Sequence, residues 1–146
     1  MKTASSHDID FINAAAEIEI PFHDVDMMEI AWHGHYVKYF EIARCCLLDK
    51  INYNYQAMQN SGFGWPIIEM HIRYAKPLKY QQKIKIIASL VEWETRMKID
   101  YKIIDFHSQK RLTRAHTVQV PVNLSNGEML FACPEILTER VEAYHE

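Results

Sequence analysis

From Ile68 to Val122 this sequence alternates. Ile68, Met70, Ile72 and Tyr74 take turns with Glu69, His71 and Arg73; Ile84, Ile86, Ala88 and Leu90 with Lys83, Lys85 and Ile87. Ile99, Tyr101 and Ile103 do so with Lys98, Asp100 and Lys102, and Val118, Val120 and Val122 with Thr117, Gln119 and Pro121. Successive side chains of a strand point to opposite faces, so each run predicts a strand with one buried face. Pro77 ends the first of them or marks a bulge, and Asn126-Gly127 carries a hairpin-type turn signal. An earlier run, Ile18, Ile20 and Phe22 against Glu17, Glu19 and Pro21, predicts a strand near the start.

Between that strand and the rest, the period changes. From about His33, the residues Tyr36, Val37, Phe40, Ala43, Cys46 and Leu47 recur at helical spacing, with Lys38, Glu41 and Arg44 between them. This predicts a helix of about four to five turns with a wide apolar stripe. A short second helix is expected over Tyr55 to Asn60, stopped by Ser61-Gly62, and a third over Pro134 to Glu146. One strand, one long helix and four further strands argue for an α+β fold with an antiparallel sheet. The natural arrangement is the long helix on one face of a curled five-stranded sheet. The sheet's other face then needs covering, which suggests an oligomer.

The 146 residues correspond to one domain, expected over 15–146 behind a flexible leader of residues 1–14. With 49% hydrophobic residues the chain can build a core. A net charge of −3 is small and of the wrong sign for a general nucleic-acid binder. No run approaches the roughly 18 apolar residues of a membrane span. The three cysteines are an odd number, and Cys45 and Cys46 are adjacent, so no disulfide framework is implied and a reduced, cytoplasmic setting is expected.

The densest polar cluster lies between the first strand and the helix: His23, Asp24, Asp26, Glu29, His33, His35 and Tyr36. A helix start presents unpaired N–H groups and partial positive charge. A carboxylate beside such a start is suited to attack an activated carbonyl, or to direct water at it, while an amide receives the developing oxyanion. His23, His33, His35 and Asp24 have metal-ligand chemistry, but His-x-His spacing on a helix points the two rings apart, so no metal is expected. Without further information, an Asp at a helix start is usually a cap.

The segment HDVDMMEIAWHGHYVKYFEIAR resembles the opening signature of the 4-hydroxybenzoyl-CoA thioesterase-like acyl-CoA thioesterases, which have the hotdog fold. The matching positions are Asp24, Asp26, Ile30, Trp32, Tyr36, Glu41, Ala43 and Arg44, and the likeness continues through Tyr74-Ala75-Lys76-Pro77-Leu78. It covers about residues 15 to 124. The resemblance implies a long central helix wrapped by the five-stranded sheet. It implies Asp26 as catalytic carboxylate, acting as nucleophile or general base, and the backbone N–H of His33 as oxyanion donor. It also implies hydrolysis of an acyl-CoA or acyl-carrier-protein thioester, with no cofactor beyond the coenzyme A of the substrate. The acyl group would lie between subunits of a homodimer or tetramer. Two departures stand out: Glu29 occupies a position where many members have Gly, and Gln81-Gln82 stand where many have Gly-Asp. Asp24 is expected to be a cap or structural partner.

Trp32 is expected to meet substrate because of its place beside the helix start, and Tyr36, a signature position, is expected to do so as well. Phe63 and Trp65 follow the Ser61-Gly62 bend as candidate pocket walls, with the core as their alternative. The most basic stretch holds Arg96, Lys98, Lys102, Lys110, Arg111 and Arg114. Solvated strand faces explain such charges; Arg96 and Arg111 are nevertheless candidates for phosphate contacts, along with Lys110 and Arg114. Cys45 and Cys46 are expected to pack the helix rather than act as nucleophiles. The rival readings are a hotdog dehydratase of hydroxyacyl thioesters and a non-enzymatic binder of acyl thioesters.

Overall fold

A computed structural model of the chain describes residues 11–146. Strand β1 spans Ile12–Glu19 and helix α1 spans Tyr36–Lys50. Helix α2 (Tyr55–Asn60) and the short strand β2 (Phe63–Gly64) follow. Then come β3 (Ile67–Tyr74), β4 (Lys83–Glu92), β5 (Met97–Asp105), β6 (Arg111–Gln119), the short β7 (Val122–Asn123) and helix α3 (Glu135–His145). Five strands form one antiparallel sheet in the order β1-β4-β5-β6-β3, and β2 pairs with β7 beside it. Helix α1 packs against β1 and β4. This is the α+β arrangement that the periodicity predicts.

The alternation of β4 and β5 holds residue by residue: Ile84, Ile86, Ala88, Leu90, Ile99, Tyr101 and Ile103 are all buried. They meet Tyr36, Tyr39, Phe40, Ala43, Leu47 and Leu48 of α1 in one core. The expected α1 stripe is rotated. Val37 and Cys46 are exposed, whereas Tyr39 and Arg44 are buried, because each finds an internal partner for its polar end.

Three features differ from expectation. First, β1 begins at Ile12, so residues 12–14 of the expected leader belong to the sheet, while residues 1–10 lie outside the described part. Ala14, Ala15 and Ala16 are apolar on both faces and hide the period, while Glu17↔Lys85 and Glu19↔Lys83 are opposite-charge partners across the ladder. Phe22 falls beyond the strand and is exposed. Second, β6 stops at Gln119, and Val122 joins β7, which pairs with β2. Pro121 has no N–H to continue the ladder. Third, β3 is an edge strand exposed on much of both faces, with Ile68 at 55% and Tyr74 at 46%. The remaining expectations of turn and helix stand: α2 has the predicted limits, Gly127 closes its turn at φ +75°, and Pro134 caps α3.

Candidate active site

The site is built on residues 22–36, the link between β1 and α1. After a single 3-10 turn at Phe22–Asp24, the chain folds back on itself through an antiparallel bridge between Val25 and Ala31. The bridge encloses a tight loop. The Asp26 amide donates to the Ile30 carbonyl (2.9 Å) and the Glu29 amide to the Asp26 carbonyl (2.9 Å). Asp26 Oδ1 accepts the amides of Met28 (2.8 Å) and Ile30 (3.3 Å). Its carboxylate is therefore oriented by its own loop and exposed to solvent, with Oδ2 unengaged among the described residues. Glu29 completes the turn at φ +60°, in the left-handed region that favours glycine. The loop is fastened to the β3–β4 connection, with Ala31 N–H donating to Leu78 O (2.7 Å) and Tyr80 N–H to Glu29 O (3.0 Å).

Beyond Trp32 a 3-10 turn, His33–His35, runs directly into α1. Its amides split into two groups. Those of His35 and Tyr36 are used, donating to Trp32 O (2.9 Å) and His33 O. Those of His33 and Gly34 have no acceptor among the described residues. Because a trans peptide holds C=O and N–H in opposite directions, fixing the Trp32 and His33 carbonyls aims the His33 and Gly34 amides the other way. The Trp32 indole folds over Gly34: a Cβ there would lie 2.1 Å from Trp32 Cζ3, so only glycine fits beneath the ring as it stands.

A cavity of about 240 Å³ opens at this point, lined by Ile30, Ala31, His33, Tyr36, Tyr74, Ala75, Lys76 and Pro77. Tyr36 and Tyr74 meet edge to face, with ring centroids 4.7 Å apart, and the Tyr74 hydroxyl donates to the His33 carbonyl (3.1 Å). Burial raises both phenol pKa values, so both remain hydroxyl groups at neutral pH.

Asp24 serves the scaffold. It is 1% exposed and accepts hydrogen bonds from Lys38 Nζ (2.8 Å) and Tyr39 OH (2.7 Å), which tie the link to the first turn of α1. Burial alone would raise its pKa, but the bonds from Lys38 and Tyr39 and the charges of Lys38 and His35 outweigh it and hold the carboxyl below its ordinary value. The same carboxylate raises the Tyr39 pKa further beyond what burial does. His23 and His35 stand 3.7 and 3.9 Å from the Asp24 oxygen that binds Lys38, so an ammonium already occupies the acidic centre of the histidine cluster. Deeper along α1, Arg44 is buried with Tyr55 and Tyr101 on its guanidinium (2.9 and 3.2 Å).

Thus Asp26, Trp32, His33 and Tyr36 share one short segment, with His33 and Tyr36 on the cavity wall. The other expected residues lie elsewhere in the chain. Trp65 is buried and donates to Tyr53 OH (3.2 Å), and Phe63 packs against the same core. Arg96 is clasped by Glu92 through two bonds of 3.1 Å at the β4–β5 hairpin. Arg111 lies with Lys102 and Arg114 along a groove of about 540 Å³ that also contains Asn13 and Ser89. Tyr74 is the site residue that sequence reasoning missed. The Tyr74–Leu78 junction was visible, but the contact to His33 spans 41 positions and leaves no local pattern.

Comparison with known proteins bears directly on this geometry. A family described as the thioesterase-like superfamily matches residues 20–141. YneP of Bacillus subtilis, provisionally named an acyl-CoA thioesterase, is 33% identical over 64 residues, which is 44% of this chain and 46% of that protein. A protein of Aquifex aeolicus provisionally named an esterase is 26% identical over 118 residues, 81% of this chain and 90% of that one. Among solved structures, a DHNA-CoA thioesterase from Staphylococcus aureus superposes with a TM-score of 0.79 at 22% identity, covering 91% of this chain and 89% of its own.

Proposed function

The chain belongs to the thioesterase-like superfamily, and on that premise we propose that it hydrolyses an acyl thioester of coenzyme A, or of an acyl carrier protein, to a free acid and a thiol. The observation that carries this reading is an oriented, solvent-facing Asp26 carboxylate on the same short link as the unpaired His33 and Gly34 amides, with His33 on the cavity wall. Asp26 acts through its unengaged oxygen, either attacking the thioester carbonyl or taking a proton from the attacking water. The His33 amide receives the oxyanion of the tetrahedral intermediate. A donor of this kind contributes about 2.7–4 kcal/mol to lowering the barrier. The thiolate of coenzyme A leaves and takes up a proton. Where Asp26 attacks, water then cleaves the acyl-aspartyl anhydride and restores the carboxylate; where it acts as base, collapse of the intermediate gives the acid directly. Trp32 and Tyr36 border the acyl group.

The active unit in this reading is a homodimer, or a tetramer built from two. Edge strand β3 has one open ladder side and exposes Ile67 and Ile68. Antiparallel pairing of two β3 strands would set the start of the partner's strand against the Tyr74 end of this one, the end that lines the cavity. Arg96 and Arg111 are the proposed phosphate contacts of the pantetheine-bearing ligand.

Thiol release from acetyl-, hexanoyl-, palmitoyl- and benzoyl-CoA, followed with a thiol reagent, tests the proposal. Turnover of any of them by the oligomer is expected. Failure on all four, and on the matching carrier-protein thioesters, contradicts it. Loss of water from a hydroxyacyl thioester without thiol release would identify a dehydratase instead.

A further inference from the structure

Resting on the thioesterase reading, we infer that Tyr74 is a positioning residue for the oxyanion site, holding the His33 carbonyl so that the neighbouring amides face the reacting thioester. The His33 carbonyl accepts two hydrogen bonds of different origin. One, from the Tyr36 amide, is internal to the turn. The other, from the Tyr74 hydroxyl at 3.1 Å, comes from the end of β3 and is the long-range tie on that peptide among the described residues. The peptide it holds is His33–Gly34, whose N–H is one of the two unpaired donors; the same bond restrains the backbone of His33, which carries the other.

A short 3-10 turn has poorer hydrogen-bond geometry than an α-helix. An outside anchor on its carbonyl compensates for that. Tyr74 is well placed to serve as one. Its ring is itself held edge to face by Tyr36 (4.7 Å) and lies 5.8 Å from the His33 imidazole, so the hydroxyl is delivered from a fixed direction. The preceding peptide is held by its own local bond, from His35 N–H to Trp32 O. Without the Tyr74 hydroxyl, the His33–Gly34 peptide also depends on the turn alone. Preorganised donors stabilise a transition state because they need no reorganisation when charge develops, so the loss is felt in chemistry and not in ground-state binding.

The test is Tyr74→Phe, which keeps the ring and its contacts and removes only the hydroxyl, with Tyr74→Leu as the variant that also opens the cavity wall. Assays use whichever of the four acyl-CoAs the wild type turns over fastest. Two inhibitors accompany them: a trifluoromethyl-ketone analogue of that acyl-CoA, whose hydrate or alkoxide mimics the tetrahedral oxyanion, and a thioether analogue that forms no oxyanion. For Tyr74→Phe a fall in kcat of about tenfold is expected, short of the 10²–10³ that removal of a whole donor costs. KM and thioether binding should stay within about twofold, and ketone binding should weaken by the same factor as kcat. Tyr74→Leu should add a rise in KM. A Tyr74→Phe enzyme with wild-type kcat overturns the inference, as does one in which thioether binding weakens as much as turnover. Asp26→Asn in the same assay separates the two levels: a large loss there beside a silent Tyr74→Phe sinks the positioning role alone. A wild type that releases no thiol from the four acyl-CoAs or from the matching carrier-protein thioesters sinks both.

Discussion

Removing the Asp24 carboxylate should loosen the start of α1, and the structure sets the size of the effect. In Asp24→Ala the Tyr39 hydroxyl, on a residue 1% exposed, loses its only acceptor among the described residues. A buried hydroxyl left unsatisfied costs about 1–3 kcal/mol. The Lys38 side chain is 49% exposed and can turn to water, so its lost ion pair adds only about 0–1 kcal/mol. The expected destabilisation is therefore about 1–4 kcal/mol. Asp24→Asn retains a carbonyl for Tyr39 and should lose about half as much. Urea unfolding gives both values from the shift in midpoint at constant slope. A Tyr39→Phe background removes the orphaned hydroxyl, so Asp24→Ala should cost about 1–2 kcal/mol less there. The effect also has a defined pH dependence. The folded-state pKa of Asp24 lies below its ordinary 3.8, so its stabilisation is full once the unfolded-chain carboxyl is ionised, above about pH 5, and is lost as pH falls through the folded value. The gap between wild type and Asp24→Asn should close on acidification below that range. Equal costs of Asp24→Ala in the wild-type and Tyr39→Phe backgrounds, or a gap that widens towards low pH, would refute the reasoning.

Two further substitutions test neighbouring parts of the account. Glu29→Gly relieves a left-handed backbone at φ +60° and should stabilise the chain by about 1 kcal/mol, raising Tm by about 2–4 °C in calorimetry; a lowered Tm would contradict this. Turnover unchanged in that variant would show that the Glu29 carboxylate takes no part in the reaction. Ile68→Lys places a charge on the exposed edge of β3 and should leave the melting curve of the monomer intact while sedimentation shows the dimer dissociated; an unchanged dimer would exclude β3 as the interface.

How much of this was legible in the sequence depended on whether a residue's partners were local. Strands β4 and β5 and helix α2 could be read because each side of their pattern has a clear chemical character. Strand β1 was read too late because three successive alanines carry no facing signal. The face of α1 was misjudged by about one residue because Tyr39 and Arg44 look polar until Asp24, Tyr55 and Tyr101 are beside them. The inward residues of β6 include Thr113 and Thr117, which a hydropathy pattern assigns outward. Asp26 and the His33 turn are picked out as candidates by the signature that surrounds them. The basic residues could not be sorted, because strand register decides which of them share a face. Lys102 pairs directly across with Arg114, and Arg114 with Arg73, whereas Arg96 sits at a hairpin end with Glu92. Tyr74 acquires its contact only when β3 passes the start of α1.

The most direct test of the account is thiol release by Asp26→Asn beside the wild type, with circular dichroism and sedimentation confirming an unchanged fold and assembly state. The asparagine oxygen can keep the amide bonds from Met28 and Ile30 that shape the loop, so structure is preserved while the nucleophile or base is removed. The account predicts a fall in kcat of about 10³-fold or more with acyl-CoA still bound. Turnover within about tenfold of the wild type would contradict the central role given to Asp26 and send the search for the catalytic group elsewhere in the fold.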